Sequence, residues 1–141
     1  MQLSRVEAVR EIDTLQEQML SCDGAMNASE FITNNFITAN GLFAREMILP
    51  AGLITVGLVK KEEYISVLSA GTITEITPDG RTVMQAPYTW VSKGGEKRVV
   101  AVHETSVLVT FHKTKETNML DIANSIVEMP DSVVSYITGG V

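Results

Sequence analysis

From Phe36 to His112 the chain reads in extended rather than helical period: runs of β-branched and aromatic residues are cut by turn residues at short intervals. Candidate strands are 36–38, 42–49, 53–60, 64–68, 72–76, 82–85, 88–91, 98–103 and 106–112. The breaks carry their own chemistry: Asn40-Gly41, Pro50-Ala51-Gly52, Ala70-Gly71, Pro78-Asp79-Gly80, Ala86-Pro87 and Lys93-Gly94-Gly95. Glycine supplies positive φ at such points and proline cannot donate to a ladder. Asp79-Gly80 is the strongest single hairpin signal. So many short strands at regular spacing imply a sandwich or barrel, because a double sheet or full closure removes exposed strand edges.

Helical patterns flank this region. Ser4 and Glu7 form a capping box. After it Val6, Val9, Ile12, Leu15 and Met19 make one apolar stripe opposite Arg10, Glu11, Asp13, Gln16 and Glu17, which predicts a helix over 5–20. That stripe must be buried, either on the β-region or on a second subunit. Residues 21–35 are polar and contain Gly and Asn, an irregular connection. Thr117 or Asn118 caps a second helix running to about Glu128, stopped by Pro130. Residues 131–141 read as a tail with one apolar stretch, 133–137. The expected architecture is mainly β: one domain over 1–141, with an N-terminal helix and connection (1–35), a β-barrel or jelly roll (36–115), and a short C-terminal helix and tail (116–141).

Composition narrows the functional classes. No apolar run approaches the roughly 18 to 20 residues of a membrane span. Charged residues from Arg5 to Asp13 break up any signal-peptide pattern, so the expected address is the cytoplasm. A single cysteine, Cys22, excludes an internal disulfide and a Cys-based zinc site. The net charge of −6 argues against a nucleic-acid polymer as partner. Yet residues 53–115 hold eight basic and six acidic side chains, whereas both flanks are acidic. The mildly basic middle is either ordinary solvated surface or a pocket that attracts an anion.

The segments Gly41-Leu42-Phe43-Ala44-Arg45-Glu46-Met47, Ile48-Leu49-Pro50-Ala51-Gly52, Lys61-Glu62-Glu63-Tyr64-Ile65-Ser66-Val67-Leu68, Ala86-Pro87-Tyr88-Thr89, Lys97-Arg98-Val99 and His103-Glu104, in that order, resemble small cupin-like proteins (double-stranded β-helices) of tailed phages and prophages. The resemblance implies a host cytoplasmic location. It also implies where metal ligands would stand: counting back from Gly71, the first cupin motif places them near Leu58, Lys60 and Tyr64, and the second at Arg98. None of these is a usual ligand, and cationic side chains repel a metal ion, so no metal and no cofactor is expected.

If the resemblance fixes their direction, Lys60, Tyr64 and Arg98 point into the barrel mouth. Buried cations require an anionic answer, either from Glu62, Glu63, Glu96 or Glu104 or from a bound ligand. His103 and His112 complete the candidate ligand-binding set of Lys60, Tyr64, Arg98, His103 and His112. As catalytic candidates, His103, His112 and Tyr64 could supply an acid or base; the plain alternative is one turn histidine and one strand-end histidine. A site of both histidines with Glu104 or Glu63 is a further arrangement the spacing allows. Trp90, Tyr88, Tyr64 and Phe111 serve either to stack on a flat ligand or to pack the core. Three functions follow: a metal-free binding protein for a small anion such as a nucleotide or phosphorylated metabolite, a phosphodiesterase-type hydrolase on the same scaffold, or a structural protein with a packed barrel. The apolar helical stripes add the expectation of a homo-oligomer, most simply a dimer.

Overall fold

In the computed structural model, residues 6–7, 9–14 and 31–128 are described. The Ser4 half of the capping box, Cys22, the distal part of the first helix and the 131–141 tail lie outside them. The order of strands is β1 (Thr33–Ala39), β2 (Leu42–Leu49), β3 (Ile54–Val56), β4 (Tyr64–Thr77), β5 (Gly80–Gln85), β6 (Tyr88–Ser92) and β7 (Val99–Lys113). A helical segment, α1, runs through the described positions of 6–14, and α2 spans Met119–Ile126. No described helix is long and apolar enough to cross a membrane.

All strand pairs are antiparallel, in the order β1-β2-β7-β4-β5, with β3 added to β7 and β6 to β4. The sheet bends round on itself without closing, so the architecture is a jelly roll rather than a closed barrel. Two long strands make the bend. β4 pairs with β6 over Tyr64–Leu68 and with β5 from Thr72 onward. β7 pairs with β3 near its start and with β2 near its end.

The separate strands expected at 64–68 and 72–76 are thus one strand, as are those at 98–103 and 106–112. Ala70-Gly71 is not a turn but part of a series of register shifts between β4 and β7 from Leu68 to Ile73. Such bulges bend a strand without ending it. Gly71 is required there twice over. Its φ is +92°, and a Cβ would fall 2.0 Å from Ser106 Oγ and 2.6 Å from Ser106 Cα. Across the bend, Met47 and Leu49 of β2 meet Leu68 and Ile73 of β4, Met84 of β5 and Val100, Val102 and Leu108 of β7 in one core. Full burial of each aliphatic side chain contributes on the order of 1.5–3 kcal/mol.

The helices sit on this frame. Ile12 of α1 is 2% exposed, and Asp13 accepts from Lys97 Nζ at 2.9 Å, so the stripe's described inner position packs within the same chain. Val6 and Val9 remain exposed. Asn118 caps α2, its Oδ1 accepting from Leu120 N–H at 2.9 Å. The helix ends at Ile126, two residues short of expectation, because Val127 and Glu128 leave it to bond with the segment after β3: Lys61 N–H donates to Ile126 C=O and Glu128 N–H to Val59 C=O, both at 2.8 Å.

Candidate functional site

A cavity of about 200 Å³ lies inside the bend, under α2. β2 contributes Phe43, Arg45, Met47 and Leu49, the alternate residues that a strand turns to one side. β7 contributes Val100, Leu108, Thr110 and His112, β4 contributes Tyr64, and the 55–60 segment contributes Leu58 and Lys60. Met119, Ile122, Ala123 and Ile126 of α2 cover it. The walls are aliphatic and aromatic except at one corner, where Arg45, Lys60, Tyr64, Arg98, Thr110 and His112 converge.

Tyr64 is the centre of that corner. Its ring lies 5.7 Å from Lys60 Nζ and 5.5 Å from Arg98 Cζ, distances at which the ring face attracts a cation. The His112 ring packs on it at 4.6 Å between centroids. Ser92, opposite Tyr64 on β6, shares a 2.7 Å hydrogen bond with Ser66. Burial holds the phenol above its ordinary pKa, against the opposing pull of Arg98, so it keeps its proton at neutral pH.

The three cations are partnered differently. Arg98 is 8% exposed and is held inside the protein: Nη2 donates to the Lys93 carbonyl at 2.8 Å, and Nη1 lies 3.6 Å from Glu75 Oε1. The carboxylate paired with Arg98 is Glu75, a residue not among the expected Glu62, Glu63, Glu96 and Glu104. Burial raises the Glu75 pKa while Arg98 lowers it. Lys60, in contrast, donates to the Leu58 carbonyl at 3.1 Å. Its ammonium is pulled down to a pKa of about 7 by burial and by the charges of Arg45 and Arg98. Arg45 donates through Nε to Asn34 Oδ1 at 2.7 Å, and burial lowers its pKa to about 10. Among the described residues, neither Lys60 nor Arg45 is in an ion pair.

Of the five residues expected at the ligand site, the structure brings together Lys60, Tyr64, Arg98 and His112 and leaves out His103. The two histidines lie on one strand, β7, and occupy opposite faces: His112 is 5% exposed at the cavity, whereas His103 is exposed and hydrogen-bonds Thr74 Oγ1. Burial and the charges of Lys60 and Arg45 hold His112 neutral, with a pKa of about 3. Its Nε2 shares a 3.0 Å hydrogen bond with Thr110. Tyr88, Trp90 and Phe111 do not line the cavity; Trp90 packs against the core and Phe111 faces outward. Arg45 is the residue that sequence reasoning passed over. The signal was available, since strand alternation places it on the inward side with Phe43, Met47 and Leu49.

No protein-family model matches the chain, and no curated protein matches it. Solved structures do. The chain is similar to KdgF from Halomonas sp. (TM-score 0.53, 11% identity, 61% of this chain and 82% of that one). It is equally similar to an RmlC-like cupin from Shewanella frigidimarina (0.53, 11%, 61% and 78%). Ectoine synthase from P. lautus matches at 0.54 and 12% identity, over 60% of this chain and 64% of that one. At such identities the likeness speaks for architecture: the chain has a cupin-type fold.

A metal at the usual cupin position does not fit the residues that stand there. Leu58 has no donor atom, Lys60 and Arg98 are cations or neighbours of cations, and Tyr64 retains its proton. His112 is the one imidazole at the cavity, and it faces Lys60 and Arg45. Among the described residues no three His, Cys, Asp or Glu side chains are grouped to hold a metal ion.

Proposed function

We propose that the protein binds a small organic anion, with its charged group at Arg45 and Lys60 and its body against the apolar walls. The observation that carries this reading is the pair of cations at the cavity that the described residues leave without a carboxylate, while Arg98 beside them is paired to Glu75. A buried cation without a counter-charge is costly, and an incoming anion removes that cost. The volume of about 200 Å³ is below the roughly 300–1,000 Å³ of ordinary ligand pockets. It favours a compact anion over a nucleotide. The phage-type resemblance adds a use, the withdrawal of a host metabolite by binding without turnover. The hydrolytic alternative retains His112 and Tyr64 at the cavity but not His103.

Thermal shift with small aliphatic and aromatic carboxylates, phosphorylated metabolites and nucleotides tests the reading. Compact anions are expected to raise the melting temperature, and Arg45→Ala to weaken their binding by about 2 kcal/mol or more. A panel in which no anion shifts the wild-type protein would overturn it. We propose also that two copies associate through the outer sheet face described below.

A further inference from the structure

We propose that Lys60 is a nucleophilic amine that condenses with the carbonyl carbon of a small 2-oxo acid held in this cavity, forming an imine. The inference rests on the anion-binding reading above and names the ligand class that the same corner would select. Three features of the geometry carry it. The Lys60 side chain lies at the cavity wall with a backbone carbonyl, not a carboxylate, as its hydrogen-bond partner, so among the described residues no fixed counter-ion stabilises the ammonium. Two guanidinium groups, Arg45 and Arg98, bear on it from β2 and from the segment before β7, and both disfavour a third positive charge. The remaining walls are apolar, which disfavours the charged form further and suits an aliphatic ligand body.

These features separate Lys60 from the other lysines. Lys61, Lys93, Lys113 and Lys115 are exposed and do not line the cavity, and Lys97 is ion-paired with Asp13. A lysine made less basic by burial and by neighbouring cations is the kind that forms Schiff bases with carbonyl ligands. Arg45 supplies the complementary half of the recognition. It has N–H groups beyond the one given to Asn34 and can hold the ligand carboxylate while the adjacent carbonyl meets Nζ. In the condensation, the Nζ lone pair bonds to the carbonyl carbon and the carbonyl oxygen becomes a hydroxyl. That hydroxyl leaves as water with both hydrogens of the amine, and the C=N bond remains. Tyr64, which keeps its phenolic proton, is a proton donor on the same wall, and no oxidant or reductant is needed.

The full-length protein would be incubated at neutral pH with 4-methyl-2-oxopentanoate or pyruvate and sodium cyanoborohydride, then subjected to intact-mass measurement and peptide mapping. The expected result is about one reduced adduct per chain, on Lys60, suppressed by 4-methylpentanoate, which has the carboxylate but no carbonyl. Lys60→Arg should abolish the adduct while the protein keeps a cooperative melting transition. Adduct spread evenly over Lys61, Lys93, Lys113 and Lys115 would overturn the inference. So would a thermal shift with 4-methylpentanoate but no adduct with either oxo acid, and in that case the anion-binding reading would stand. If neither class of acid shifts the protein and no adduct forms, both fall.

Discussion

Each face of the β1-β2-β7-β4-β6 sheet departs at one patch from the usual division of a half-solvated antiparallel sheet, in which apolar side chains face inward and polar ones outward. The inner face carries Arg45, Tyr64 and His112 into the cavity, beside Lys60 and Arg98. The outer face carries Ile37, Ala44, Phe111, Ile65 and Val91, which stand opposite one another across all five strands. Four of the five are well exposed: Ile37 54%, Phe111 37%, Ile65 49% and Val91 60%. With strands about 4.8 Å apart, this row runs about 19 Å across the sheet. Charges inside cost desolvation and apolar side chains outside forgo burial; on the reading proposed above, a small anion offsets the first cost and a second copy the other.

The largest effect on the inner charges is expected at Arg98. Arg98→Ala leaves Glu75 buried without its cation and should cost about 3–5 kcal/mol of folding stability in urea denaturation. Converting both to apolar residues, Arg98→Met with Glu75→Leu, should return most of it. An Arg98→Ala protein as stable as wild type would show that the inner charges are more solvated than the geometry implies.

The effect expected at Lys60 depends on pH. The unfolded lysine gains its proton below the ordinary value of 10.5, the folded one only below about 7. Between these values the unfolded state binds more protons, so stability should rise with pH from about 7 to 10.5. Lys60→Met should flatten that slope and raise stability at neutral pH. His112 acts in the same sense lower down: its pKa falls from 6.5 to about 3 on folding, so stability should decline as pH drops through that window. Urea titrations across both windows check the two slopes.

The smallest effect belongs to the outer face. Ile65→Lys should convert a homodimer into a monomer by light scattering while changing the protomer's intrinsic stability by no more than about 0.5 kcal/mol and leaving anion binding in place. A wild-type protein that already scatters as a 15 kDa species would remove the second half of the comparison.

Much of the fold was legible because period and punctuation agreed. β2 matches its expected bounds of 42–49, and the Asp79-Gly80 hairpin joins β4 to β5. The reading failed where a glycine marks a bend instead of a stop: Gly71 looks like a turn residue, and only its close approach to Ser106 shows why the strand passes through it. At the site, Lys60, Tyr64 and Arg98 were reachable through the spacing of a resemblance. The partner of Arg98 was not, because Glu75 reaches it through the pairing of β4 with β7, Glu75 opposite Val100 and Ile76 opposite Val99, a register that local sequence does not reveal. His103 was misplaced for a related reason. Nothing in its local sequence tells whether a strand continues through Glu104-Thr105, and that continuation puts it on the opposite face from His112.

The stitch between Ile126–Glu128 and Val59–Lys61 makes the floor and the roof of the cavity one mechanical part. The backbone that carries the Lys60 amine is bridged to Val127, the residue that ends the covering helix. Two 2.8 Å hydrogen bonds and an antiparallel bridge along that seam fix the backbone at Lys60 to the end of the helix. The C-terminal helix is accordingly less a detachable cover than a brace: removing it would unseat Lys60 as well as open the chamber above it.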